Sequence, residues 1–160
     1  MTSLDNCFQI AYVTNDFERA LGELESRFGL AGMLRTDPLI VELDAGTRAQ
    51  LRHAVGYVGA LQFEVVQPVA GAVEVFTRGL PAGGFHLALH HVCVDVATEA
   101  EFEAALARHR ANGTEILFEG RRVGRSRFAF ADTRAQLGHM IEILHATPEG
   151  RAARAGIPRL

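Results

Sequence analysis

The sequence predicts an α+β fold in which two βαβββ modules of one chain form a curved, cup-like mixed sheet. Three observations predict it. A strand-then-helix signature occurs twice within 160 residues, three strand-like runs follow each occurrence, and an apolar fraction of 48% supplies one substantial core. The whole chain, 1–160, reads as a single domain: module one at about 7–68, a connector at 69–85, module two at about 86–145 and a tail at 146–160.

The first module opens on the strand Gln9-Ile-Ala-Tyr-Val13. Asp16 stands where a helix N-cap is wanted, and Phe17, Leu21, Leu24 and Phe28 recur at helical spacing behind it. Gly29 then offers the left-handed backbone that ends helices. Strands follow at roughly 38–44, 48–58 and 60–67, broken near Asp44-Ala-Gly46 and at Gly59.

The connector, rich in Gly and Pro, leads to the second opening strand, His91-Val-Cys-Val-Asp-Val96. Thr98 is its helix cap, with Phe102, Leu106 and, less regularly, His109 on the apolar stripe and Gly113 at the exit. Strands are expected at roughly 114–119, 123–131 and 139–144, with breaks near Gly120 and from Asp132 to Gly138. One βαβββ sheet with a single helix leaves a face uncovered, so two copies join into a larger curved sheet. The tail, with Gly150, Gly156 and Pro158, reads as a frayed or docking extension.

Composition excludes several classes. A net charge of −3 gives no polyanion-seeking balance, so no nucleic-acid partner is expected. The start MTSLDNCFQIAYV has no signal-peptide pattern and no run approaches 18 apolar residues, so the expectation is a cytoplasmic protein with no membrane partner. Cys7 and Cys93 sit inside apolar runs and read as buried thiols.

The chemistry concentrates at four matched positions. Gln9 and His91 occupy the same place in the two opening strands, 82 residues apart, and Glu64 and Glu142 the same place in the two closing strands, 78 apart. A strand carboxylate flanked by Val, Ile, Leu or Phe costs several kcal/mol when buried without a partner. One divalent cation (Zn, Ni, Co, Mn or Fe) is such a partner, and imidazole, carboxylate and carboxamide donors suit it with positions left for water or substrate.

The segments Gln9-Ile-Ala-Tyr-Val13, Glu64-Val-Val-Gln-Pro68, His90-His91-Val-Cys-Val94 and Phe128-Ala-Phe-Ala-Asp132 with Gly138-His-Met-Ile-Glu142 resemble the vicinal-oxygen-chelate superfamily over about residues 7–145. The pattern is most similar to its glyoxalase-like and methylmalonyl-CoA epimerase-like members. The resemblance implies a metal held from the first and last strands of each module, here by Gln9, Glu64, His91 and Glu142. It also implies a homodimer. Gln9 stands where ring-cleaving dioxygenases of the superfamily carry a first histidine, which disfavours that reaction.

The expected function is therefore a metal-dependent lyase, isomerase or epimerase acting on a small oxygenated metabolite through a metal-stabilised enolate or enediolate. Glu64 or Glu142 is the proton-transfer base. A non-catalytic drug- or metabolite-binding protein is the alternative reading of the same cup. Strand parity sends His90 to the face opposite His91. Arg121, Arg122, Arg125 and Arg127 lie near the mouth, either as an anion site or as a solvated sheet edge. Met33, Phe63, Phe85, Phe128 and Phe130 serve equally as cup walls or as core, and His53, His86 and His139 carry no assigned role.

Overall fold

Period-two alternation builds the strands, and its parity decides which side chains face inward. The structure is a computed structural model describing residues 6–43 and 46–160. In chain order its elements are β1 (Cys7–Thr14), α1 (Phe17–Phe28), β2 (Leu34–Leu43), β3 (Arg48–Val58), β4 (Leu61–Gly71), α2 (Glu74–Thr77), β5 (Leu87–Val96), α3 (Glu99–Ala111), β6 (Ile116–Arg122), β7 (Ser126–Ala131), α4 (Arg134–Leu137), β8 (Met140–Ala146) and α5 (Pro148–Ala155). The turn expected at Asp44 to Gly46 lies partly outside the described residues. None of the described helices is long and apolar enough to cross a membrane.

The strands form one curved sheet in the order β1-β4-β3-β2-β6-β7-β8-β5, with β5 returning to β1. The expected curved, mixed α+β sheet is present, and it curves far enough to close into a barrel. Among the described residues its seam is short, Glu42 with Arg121 and Leu43 with Gly120. Gly120 permits it, because a Cβ there would lie 2.6 Å from the Phe128 ring and 3.0 Å from the Glu42 carbonyl oxygen.

Three apolar clusters divide the two faces. Inside the barrel, Val13, Leu39, Val41, Leu51, Val66, Phe118, Phe128, Phe130 and Met140 pack around Phe76 from α2, which fills one end. Outside, α1 lays Phe17, Ala20, Leu21 and Leu24 on Ala54 and Val65, with Met33, Phe63 and Phe85 in the same layer. α3 lays Phe102, Ala105 and Leu106 on Val94, Ala129, Ile141 and Ile143. Of the five residues weighed as cup walls, then, Phe128 and Phe130 face inward and the other three serve the outer core.

Both helices begin and end as expected. The Asp16 side chain accepts from the Arg19 N–H, Thr98 and Glu101 form a reciprocal capping box, and Gly29 adopts the left-handed conformation. Phe28 is a correction: it is 70% exposed, one turn past the last α1 residue that the sheet covers. Cys7 is another, since the first position of β1 precedes a ladder shift and is exposed; Cys93 is buried as expected. The strand expected at 38–44 starts at Leu34, because Pro38 falls at a register shift between Thr36 and Leu39 where its missing N–H breaks no rung. The tail is not frayed. Thr147 caps α5, and Leu160 lies against Gly56 while its N–H donates to the Tyr57 carbonyl.

Candidate functional site

The inner face brings the four expected residues to one cavity of about 180 Å³. Gln9 and Glu64 reach it from β1 and β4, His91 and Glu142 from β5 and β8. β1 lies beside both β4 and β5, and β5 lies beside β8, so the four strands are contiguous. Gln9, His91 and Glu142 are buried at 6%, 3% and 7% exposure.

His91 is the centre. Its Nε2 lies 3.2 Å from a Glu142 carboxylate oxygen and 3.4 Å from a Glu64 one, yet is aligned for a hydrogen bond with neither. Burial alone would push the His91 pKa down, but the two carboxylates outweigh it and hold the imidazole up to about 9. Burial likewise works to raise Glu64, and His53 and His91 reverse it, holding that carboxyl well below the ordinary range.

Two further residues, which the sequence reading left without a role, belong to the site. His53 Nε2–H donates to Glu64 at 2.8 Å, and Gln62 accepts from Gln9 Nε2 at 2.6 Å. A signal existed for both: Gln62 shares the parity of Glu64 two residues on, and His53 that of Leu51 and Val55. The Gln9–Gln62 bond leaves Gln9 Oε1 buried and unpartnered.

His90 departs from its expected face. The β1–β5 ladder pairs Ala11 with His91 but Tyr12 with Leu89, so a bulge falls at His90. Its ring turns inward onto Phe130 and Phe76, and its Nδ1 meets His91 Nδ1 at 2.9 Å. Burial, then the neighbouring His91, pushes the His90 pKa down to about 3. A neutral His90 therefore accepts the Nδ1–H of His91 and fixes that ring.

As the side chains stand, no group of three or more His, Cys, Asp and Glu among the described residues is closed around a metal position. Glu64 is turned toward His53, and Gln9 toward Gln62. The donor set nonetheless fits a divalent cation. Ligands bound at about 2.0–2.2 Å lie roughly 2.8–3.6 Å apart between right-angle and tetrahedral geometry, which spans the His91–Glu142 and His91–Glu64 separations. The orphaned Nε2 of His91 and Oε1 of Gln9 are the remaining donors it would use.

An eight-stranded α+β barrel with this polar cluster on its inner face agrees with the sequence itself. Residues 8–131 match the model of the Glyoxalase/Bleomycin resistance protein/Dioxygenase superfamily, and the chain belongs to that family. Among solved structures it is similar to methylmalonyl-CoA epimerase from Mycobacterium tuberculosis, with a TM-score of 0.59 at 20% identity over 95% of each chain. It is also similar to a variant of the Streptomyces coelicolor methylmalonyl-CoA epimerase in complex with 2-nitronate-propionyl-CoA, with a TM-score of 0.55 at 18% identity over 91% of this chain and 97% of that one. A hypothetical protein from Bacillus halodurans gives 0.53 at 12%, covering 88% and 94%. No curated protein matches in sequence. At these identities the solved structures establish the fold.

Proposed function

We propose that this chain is a metal-dependent enzyme of the epimerase, isomerase and lyase group, moving a proton at a carbon next to a carbonyl of a small oxygenated substrate. The observation that carries the reading is the pair of carboxylates set on either side of His91 Nε2 inside an otherwise apolar barrel. Replacing both by hydrophobic residues would stabilise a pure binding cup. The two module copies are supported by matched registers: Gln9 faces Gln62 and Ala11 faces Glu64, while His91 faces Met140 and Cys93 faces Glu142.

Gln9, Glu64, His91 and Glu142 would hold the cation. When bound, it supplies positive charge that offsets the oxyanion developing on the substrate carbonyl. The chain's own groups divide the rest. His53 donates to Glu64 and keeps it ionised, so Glu64 suits a fixed negative ligand. Glu142 shares His91 with Glu64 but has no second histidine among the described residues donating to it, and is the freer carboxylate, suited to take the proton from carbon and return it. Phe128, Phe130, Leu39 and Val41 line the cavity and exclude water from the carbanion. The epimerase structures among the neighbours favour return of the proton to either face.

The test is deuterium wash-in by NMR. A panel of 2-methylacyl, 2-hydroxyacyl and 2-oxoacyl thioesters is incubated in D₂O with the protein. Metal-dependent exchange by the wild type, lost in Glu142→Gln while some metal is retained, is the expected result. Equal exchange by both proteins would overturn Glu142 as the base. No exchange across the panel, with tight stoichiometric binding of a drug-like ligand, would overturn the enzymatic reading.

A further inference from the structure

The arginine run at the barrel mouth does not act as one unit. Strand alternation splits it. Arg121 turns outward to Glu42 at 2.8 Å, and Arg127 lies between Glu119 and Glu103 at 2.6 and 2.7 Å, with Glu99 closing the cluster. Arg122 has the other parity, that of the buried Phe118 and Gly120, and lines the cavity. Its guanidinium makes no hydrogen bond or ion pair with any described residue. The Arg125 side chain, also on the cavity wall, donates to the Glu149 carbonyl.

An arginine turned into an enclosed space without a carboxylate is costly unless an anion arrives. Burial pushes the Arg122 pKa down, and its long-range attraction to Glu64 and Glu142 offsets this only in part. Both carboxylates instead lie within 3.4 Å of His91 Nε2. The register gives the position. Arg122 pairs with Ser126, which pairs with Ala146, whereas Glu142 pairs with Phe130. The Arg122–Ser126–Ala146 row is thus four residues up the strand from Glu142, about 13 Å at 3.3 Å per residue. Gly120, Phe128 and Leu144 form the row between, and they are apolar.

We propose that Arg122 and Ser126, with Arg125 at the rim, form an oxyanion subsite that takes a carboxylate or phosphate group of the substrate. The substrate is then an acid, its anionic group separated from the reacting carbon by an apolar stretch that the middle row accommodates. A guanidinium suits this because it can present two parallel N–H donors to two oxygens, and the Ser126 hydroxyl sits on the facing position. The inference names the substrate class of the reaction proposed above and rests on that reading for the chemistry, though not for the binding.

Binding is measured without turnover. Glutarate, adipate and inorganic phosphate are titrated calorimetrically into the metal-loaded protein, with glutaramide as the uncharged control. The wild type is expected to bind at least one anion in preference to glutaramide. Arg122→Gln is expected to weaken that binding about 10-fold or more, Arg122→Lys to keep part of it, and Arg121→Gln to change nothing. Preference for a dicarboxylate assigns the subsite to a carboxylate, and preference for phosphate to a phosphate ester. The proposal is overturned if the wild type binds none of these anions above the control, or if Arg122→Gln and Arg122→Lys, both folded by thermal melting, bind as the wild type does. Failure of the proton-exchange reading leaves a different signature: anion binding that depends on Arg122 with no deuterium wash-in for any substrate.

Discussion

The metal-free chain is expected to be most stable near pH 6.5, because its two adjacent histidines titrate in opposite senses. His91 is raised to about 9 in the folded state, so between pH 6.5 and 9 the native chain holds a proton that the unfolded chain has lost. Stability from this group is complete below about 6.5 and falls as pH rises, by about 3 kcal/mol in all for 2.5 pH units at roughly 1.4 kcal/mol each. His90 is lowered to about 3, so between pH 3 and 6.5 it is the unfolded chain that holds the extra proton. Stability there rises with pH, by about 4–5 kcal/mol on the same conversion. Glu64, lowered below the ordinary carboxylate range, adds to the acid-side loss.

The composition isolates the alkaline limb. All sixteen basic residues are arginine, and no lysine competes in the window. Burial raises the Cys93 thiol well above its usual value, an effect that begins only near pH 8.5, so the range to measure is 6.5–8.5. Urea unfolding followed by far-UV circular dichroism in EDTA should show a fall of about 2 kcal/mol across it. His91→Gln should flatten that limb. Adding Zn²⁺ to the wild type should invert it, since binding displaces the His91 proton and so strengthens with pH. A flat alkaline limb in the wild type, or one that survives unchanged in His91→Gln, would refute the assignment.

Three packing predictions accompany it. Phe130, 2% exposed, touches the rings of His90, His91, Phe118, Phe76 and Phe128. Phe130→Ala should therefore cost about 3–5 kcal/mol and lower the melting temperature by roughly 10 °C, and a loss under about 1 kcal/mol would show that this wall does not hold the histidines. Gly120→Ala should cost about 1–3 kcal/mol, because its Cβ meets the Phe128 ring and the Glu42 carbonyl at the seam. Gly22→Ala, on an open face of α1 with nothing within 4 Å, should instead stabilise by about 0.5–1 kcal/mol, and melting curves that rank the two alike would contradict the closure.

Much of the architecture was legible because it is written in periodicities. The spacing of Phe17, Leu21 and Leu24 and the caps Asp16 and Thr98 are local signals, and the helices start where those signals put them. Barrel closure was not legible, since the approach of Leu43 to Gly120 depends on the accumulated twist of eight strands. The inward turn of His90 was hidden for a related reason. Parity reasoning assumes an unbroken ladder, and one extra residue between Ala11 and Tyr12 on the partner side reverses its conclusion.

That bulge explains how Gln9 and His91 come to be oriented by different means. Gln9 faces Gln62 across a parallel ladder, and the hydrogen bond that Gln9 Nε2 donates to Gln62 leaves Gln9 Oε1 free. His91 faces Met140 in the corresponding register, and a thioether offers the imidazole no comparable hold. A histidine left to rotate about its side-chain bonds would present its Nε2 to the carboxylates only part of the time. The extra residue brings His90 round to the same side, where its Nδ1 fixes the far nitrogen of His91 and Phe76 and Phe130 hold His90 in turn. Gln62 and His90 thus do the same work from different places in the sequence, one across the sheet and the other along the strand. The second could not be found by looking for the counterpart of the first.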